Sequence, residues 1–113
     1  MNRVRFTSDP AQRRSVLSGG RRHTFTFRTI GDSLHVDVAR DDATLAAGLR
    51  VVEGVDILGA SDFGVGALIA ERVTGEGPVT AQDVFTGRVR VLHVPADTVA
   101  RAEAGEFAPA GDA

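Results

Sequence analysis

The stretch HTFTFRTIGDSLHVDVAR, His23 to Arg40, constrains the fold more than any other part of the sequence. Phe25 and Phe27 share one parity, and Thr24, Thr26 and Arg28 take the other. After Gly31-Asp32-Ser33 the alternation resumes, with Leu34, Val36 and Val38 set against His35 and Asp37. Side chains of a strand point alternately to opposite sides, so this is a β-hairpin with one apolar face.

Downstream, Gly75-Glu76-Gly77-Pro78 marks a turn, Val79–Phe85 is predicted as a strand, and Thr86-Gly87 turns the chain again. RVRVLHV then sets Val89 and Val91 against Arg88 and Arg90, with Leu92 breaking strict parity. Pro95 ends the run because proline cannot donate to a strand ladder. The middle stretch reads two ways. Asp42 could cap a helix over Ala43–Leu49, or LRVVEG and GALIAERV could be short buried strands. Gly48 and Gly54 disfavour a helix and tip the reading to strands. A short helix fits Thr98 to Glu106. Turn signals recurring about every 8–12 residues imply a mainly β fold. The expectation is a small barrel or sandwich of short antiparallel strands, with an extended N-terminal arm and at most one or two short helices.

A chain of 113 residues makes one domain and buries about two-thirds of its unfolded surface. With no cysteine, a disulfide framework or thiolate zinc site is excluded. The longest apolar runs, such as Val65–Ala70, fall far short of the ~20 residues of a membrane helix. The N-terminus lacks the apolar core of a secretory signal, so a soluble protein away from membranes is expected. All 13 basic residues are arginine, which hints at a GC-rich genome. Their distribution is uneven. Residues 1–30 carry seven arginines against Asp9 alone, a balance of +6, and residues 31–113 carry six against fourteen acids, a balance of −8. The formal net charge of −2 therefore conceals a basic arm on an acidic body. This divides the chain into a flexible basic arm over residues 1–22, hinged at Gly19-Gly20, a β-rich domain over 23–108 and a tail over 109–113.

Catalytic and metal chemistry find little support. His23, His35 and His93 each lie in or beside a strand without a nearby second ligand, and His35 with Asp37 is not a metal signature. GASDFG, Gly59 to Gly64, misses the spacing of a nucleophile elbow and reads as a turn. No catalytic residue, metal site or cofactor is expected, and the chain is not read as an enzyme.

The segments IGDSLHVDV, LAAGLRVVEG, FGVGALIAE, FTGRVRVLHVPAD and ARAEAGEFAPAGD follow one another over Ile30 to Asp112. In this order of glycine turns and valine-rich strands the chain resembles the small β-rich capsid decoration (cement) proteins of tailed bacteriophages. Leu58–Phe63 adds residues to that pattern, and VPADTVARAEAGEF is more helix-prone than it. The resemblance implies a non-enzymatic structural protein that docks on the capsid shell through its N-terminal arm and stabilises it. It also implies a homotrimer, a partner in the major capsid protein or another virion protein, and a place on the capsid surface after assembly in the host cytoplasm. Arg3, Arg5, Phe6, Arg13, Arg14, Arg21 and Arg22 are the expected contact residues, the arginines pairing with carboxylates and Phe6 filling an apolar pocket. The alternation in RVRF also suits an extended segment added to a neighbour's sheet edge. Two alternatives stand beside this: a small nucleic-acid-associated module using the same arm, and another phage neck or tail component.

Overall fold

In a computed structural model, which describes residues 2–18, 20–58 and 65–96, two antiparallel sheets enclose one apolar core. The strands are β1 (Asn2–Val4), β2 (Ala11–Ser18), β3 (Arg21–Ile30), β4 (Ser33–Arg40), β5 (Ala43–Arg50), β6 (Ala67–Arg72) and β7 (Val89–Val94). One helix, α1 (Ala81–Phe85), precedes β7. The larger sheet runs β2-β3-β4-β5 and the smaller β1-β7-β6. Neither closes on itself, so the expected barrel-or-sandwich resolves to an open sandwich.

The hairpin of β3 and β4 forms as its alternation dictates. Phe25, Phe27, Leu34, Val36 and Val38 are buried on one face, in a register pairing Phe25 with Val38 and Phe27 with Val36. From the facing sheet come Val4, Leu68, Ala70, Val89 and Val91. Parity along β7 is strict after all. His93, not Leu92, occupies the next inward position, and its ring lies 5.5 Å from that of Phe25.

Residues 1–22, expected as an arm apart from a body beginning at His23, contribute strands to both sheets. β1 pairs with β7, and β2 pairs with β3 over all eight of its residues. Val4 is buried, and Phe6 packs edge-on against Phe27 with ring centroids 4.8 Å apart. The physical reason is that β2 carries its own alternation, with Gln12, Arg14, Val16 and Ser18 inward and Ala11, Arg13, Ser15 and Leu17 outward. Polar residues at inward positions hide that period from a reading of hydrophobicity. Gln12 makes the arrangement work. Its side-chain nitrogen donates to the Thr7 and Asp9 carbonyls at 2.7 and 2.8 Å, while its oxygen accepts from the Thr7 N–H at 2.8 Å and from Arg14 at 2.9 Å. A buried amide with every bond made holds the β1–β2 loop in place.

Two further readings are settled. Ala43–Arg50 is strand rather than helix, because Asp41 and Asp42 both take positive φ and form a tight hairpin turn from β4. The strand predicted over Val79–Phe85 is instead α1. Thr80 accepts from the Asp83 N–H and Asp83 accepts from the Thr80 N–H, a capping box that starts a helix and outweighs the alternation. Ala81 and Val84, three residues apart, then share its buried face. The GASDFG turn, the helix expected over Thr98 to Glu106 and the tail lie outside the described residues.

Replacing Gln12 with Ala should lower stability by about 1–3 kcal/mol in urea unfolding, the cost of leaving loop groups without their partner. An arm independent of the body would leave the midpoint unchanged.

Candidate functional site

The described arginines divide largely by position, Arg50 being a body arginine that has no ion pair among the described residues. In the body, Arg72 pairs with Glu53 and Asp83, Arg88 with Asp83 and Arg90 with Glu71. Arg40 donates to His23 at 3.1 Å. Along β1, β2 and the start of β3, by contrast, Arg3, Arg5, Arg13, Arg14 and Arg22 have no ion pair among the described residues. Within residues 1–30 the paired arginines are Arg21, with Asp41, and Arg28, with Asp37. The basic balance read from the sequence thus survives folding as unpaired charge on one side of the sandwich.

The structure brings three of the seven expected contact residues together in one cleft. Arg3, Arg5 and Arg14 line a cleft of about 380 Å³ between β1 and β2, together with Val4, Ser15, Val16 and Leu17. Arg13 stands exposed beside it on the outer face of the larger sheet. Arg14 is held rigidly, its Nε donating to the Arg5 carbonyl at 2.7 Å and a terminal nitrogen to the Arg13 carbonyl at 2.8 Å. Arg22 lies across from Leu17 on the outer face, and Arg21 turns away to Asp41. Phe6 is engaged within the chain, half-buried between Phe27 and Phe85. Sequence reasoning missed Leu17, which is 64% exposed in the middle of this basic side. The outward parity of β2 is the signal that would have found it.

A model of the family described as "Cyanophage baseplate Pam3 plug gp18" matches residues 1–96. The chain belongs to that family. A comparison with curated proteins gives no match. The match spans every described residue, β1 and β2 included, so the basic strands are part of the baseplate plug family's unit. The family is one of phage virion structural proteins, which agrees with the broad class implied by the resemblance to decoration proteins. It names the baseplate rather than the capsid shell, nearer to the tail component weighed as an alternative.

Elsewhere in this plug-family domain the ionisable groups serve the fold. The Gly48 N–H, at 2.7 Å, and then Arg28 hold the Asp37 carboxyl below the usual carboxylate range. For Asp83 the Thr80 N–H leads, followed by the Arg88 guanidinium. No group of three or more His, Asp or Glu among the described residues is placed to hold a metal ion. No helix among them is long and apolar enough to cross a membrane.

The two buried histidines give the domain a pH dependence. Burial, and then the Arg40 charge, pushes the His23 pKa down; burial also lowers His93, against the Val65 carbonyl, which its Nε2 meets at 2.7 Å. Both Nδ1 atoms are buried without a partner among the described residues. Protonating His93 would strand an N–H donor, and protonating His23 at Nε2 would break its bond from Arg40. In the unfolded chain each ring takes its proton near about pH 6.5. Because the folded values lie lower, their contribution to stability is complete above that pH and lost as pH falls through the folded values. The thermal midpoint should therefore drop between about pH 7.5 and pH 5.5, where the carboxylates stay ionised, and His93→Gln should flatten the slope. An unchanged slope in that variant would count against the assignment.

Proposed function

We propose that this chain is a plug component of a phage baseplate, held there by neighbouring virion proteins that contact its basic β1–β2 side. The observation carrying this reading is the family match over residues 1–96, which takes in both basic strands. The geometry supports it. Arg3, Arg5 and Arg14 line one cleft without an ion pair among the described residues, and Arg13 stands on the outer face, while Arg72, Arg88 and Arg90 of the body pair with the body's own acids. Such charge is cheap to expose in water, and a partner's carboxylates can pair with it in a bidentate manner that fixes orientation. Plugging needs position and hold rather than chemistry, so a rigid sandwich displaying preformed cations suits it.

The decoration role implied by the sequence resemblance uses the same side of the molecule but a different place in the particle, and abundance separates the two. Quantifying this chain against the major capsid protein in purified particles by mass spectrometry should give a small number of copies, in keeping with a single baseplate. Copies comparable to the capsid protein would return it to the shell, and absence from the particle would contradict both roles.

A further inference from the structure

The larger sheet ends on one side at β2, and its free edge has a definite pattern. The Thr29 N–H donates to the Pro10 carbonyl at 2.8 Å, and the same register pairs Gln12 with Phe27, Arg14 with Phe25 and Val16 with His23. Hydrogen-bonded and non-bonded pairs alternate along an antiparallel ladder. Gln12, Arg14, Val16 and Ser18 therefore turn their main-chain groups toward β3. Ala11, Arg13, Ser15 and Leu17 turn theirs outward, where no strand among the described residues receives them, although the Arg13 carbonyl accepts from the Arg14 guanidinium at 2.8 Å.

The two edges of this sheet are not equivalent. β5, the opposite edge, has register shifts at Val36/Val38 and Val38/Ala39 and a positive-φ glycine at Gly48, which break its ladder. Such irregularity is a common guard against adding a strand. β2 keeps an unbroken register over its full length and contains no proline. Its guard is charge instead: Arg13 projects from the outer face, and Arg3, Arg5 and Arg14 line the cleft beneath. A second copy pairing here through its own β2 would bring arginine against arginine, which costs free energy. The same charge favours a strand of opposite sign.

We infer that the β2 edge is a docking site for an extended, acidic segment of a neighbouring virion protein, which adds to the larger sheet as an extra strand. Main-chain bonds from Ala11, Arg13, Ser15 and Leu17 supply the ladder. Arg13 on one face and Arg3, Arg5 and Arg14 on the other select carboxylates, while Leu17 on the outer face and Val16 on the inner face can each flank an apolar side chain of the added strand. The identity of the neighbour rests on the proposed baseplate role, whereas the docking mode rests on the edge itself.

The test uses the full-length protein and a capped peptide of alternating Glu and Val, with binding followed by amide chemical shifts and hydrogen exchange. The expected result is that the outward amides of Ala11, Arg13, Ser15 and Leu17 shift and become protected, with affinity falling at least about tenfold for the Lys-for-Glu peptide or for Arg13→Glu. Ser15→Pro removes an outward donor that gives nothing to β3, so it should weaken binding while leaving the sheet intact. If that variant does not fold, N-methylation of alternate peptide residues tests the ladder on the unaltered protein, and should abolish binding. Equal affinity for the Lys peptide, unaffected binding of the N-methylated peptide, or displacement by duplex DNA would overturn the inference. So would edge amides already protected in the free protein and released when the chain is cut after Ala96, since residues 97–113 would then be the occupant. Failure to bind alongside a low copy number overturns the docking mode alone. Binding alongside a capsid-like copy number overturns the plug role alone.

Discussion

A run of ring contacts through the sandwich holds the rest in place. Phe25 touches His93 across the two sheets, Phe27 touches Phe25 along β3, and Phe6 closes on Phe27 from the β1–β2 loop. Edge-to-face pairs of this kind add to the area they bury, and here they tie together three parts of the chain distant in sequence. The first residues are thereby fastened to the core. Gln12 completes the fastening by bonding the loop that carries Phe6.

That fastening determines what the charge can do. Cations on a free tail would sample many positions, and ordering them against a partner would cost roughly 1–2 kcal/mol per residue. On β1 and β2 the arginines are already positioned, and Arg14 is braced by two main-chain carbonyls. Little ordering remains to be done on contact, so attraction to an acidic surface is retained as affinity and orientation. Among the described acids of the body, Glu53, Glu71 and Asp83 pair with body arginines, Asp83 meeting both Arg72 and Arg88. The molecule is acidic overall, yet it presents one side whose charge is positive and uncompensated.

Much of this was legible from residue order. The β3–β4 hairpin follows from its alternation, β7 from its valines and Pro95, and the turns from their glycines. The mainly β class, though not the choice between barrel and sandwich, follows from turn spacing. The segregation of arginine into residues 1–30 pointed to the basic side and to its residues. What was hidden had physical causes. The strand character of Ala11–Ser18 is masked because Gln12 and Arg14 take inward positions usually held by apolar residues, and only their hydrogen bonds make that tolerable. α1 is hidden because Val79–Phe85 alternates well enough for a strand, although Thr80 and Asp83 stand at capping-box spacing. The inward place of His93 is masked by Leu92, which by hydrophobicity should have taken it. Phe6 reads as a partner-binding residue when viewed without the core that receives it.

The central claim is that the β2 side of a baseplate protein meets its neighbours in the particle. It is tested most directly by installing a photoreactive residue in place of Leu17, with Val73, also exposed and just past the end of β6, as control, and irradiating assembled particles. Cross-links from position 17 to other baseplate proteins, with few from position 73, are the predicted result. Cross-links to the major capsid protein, or from position 73 alone, would contradict the account.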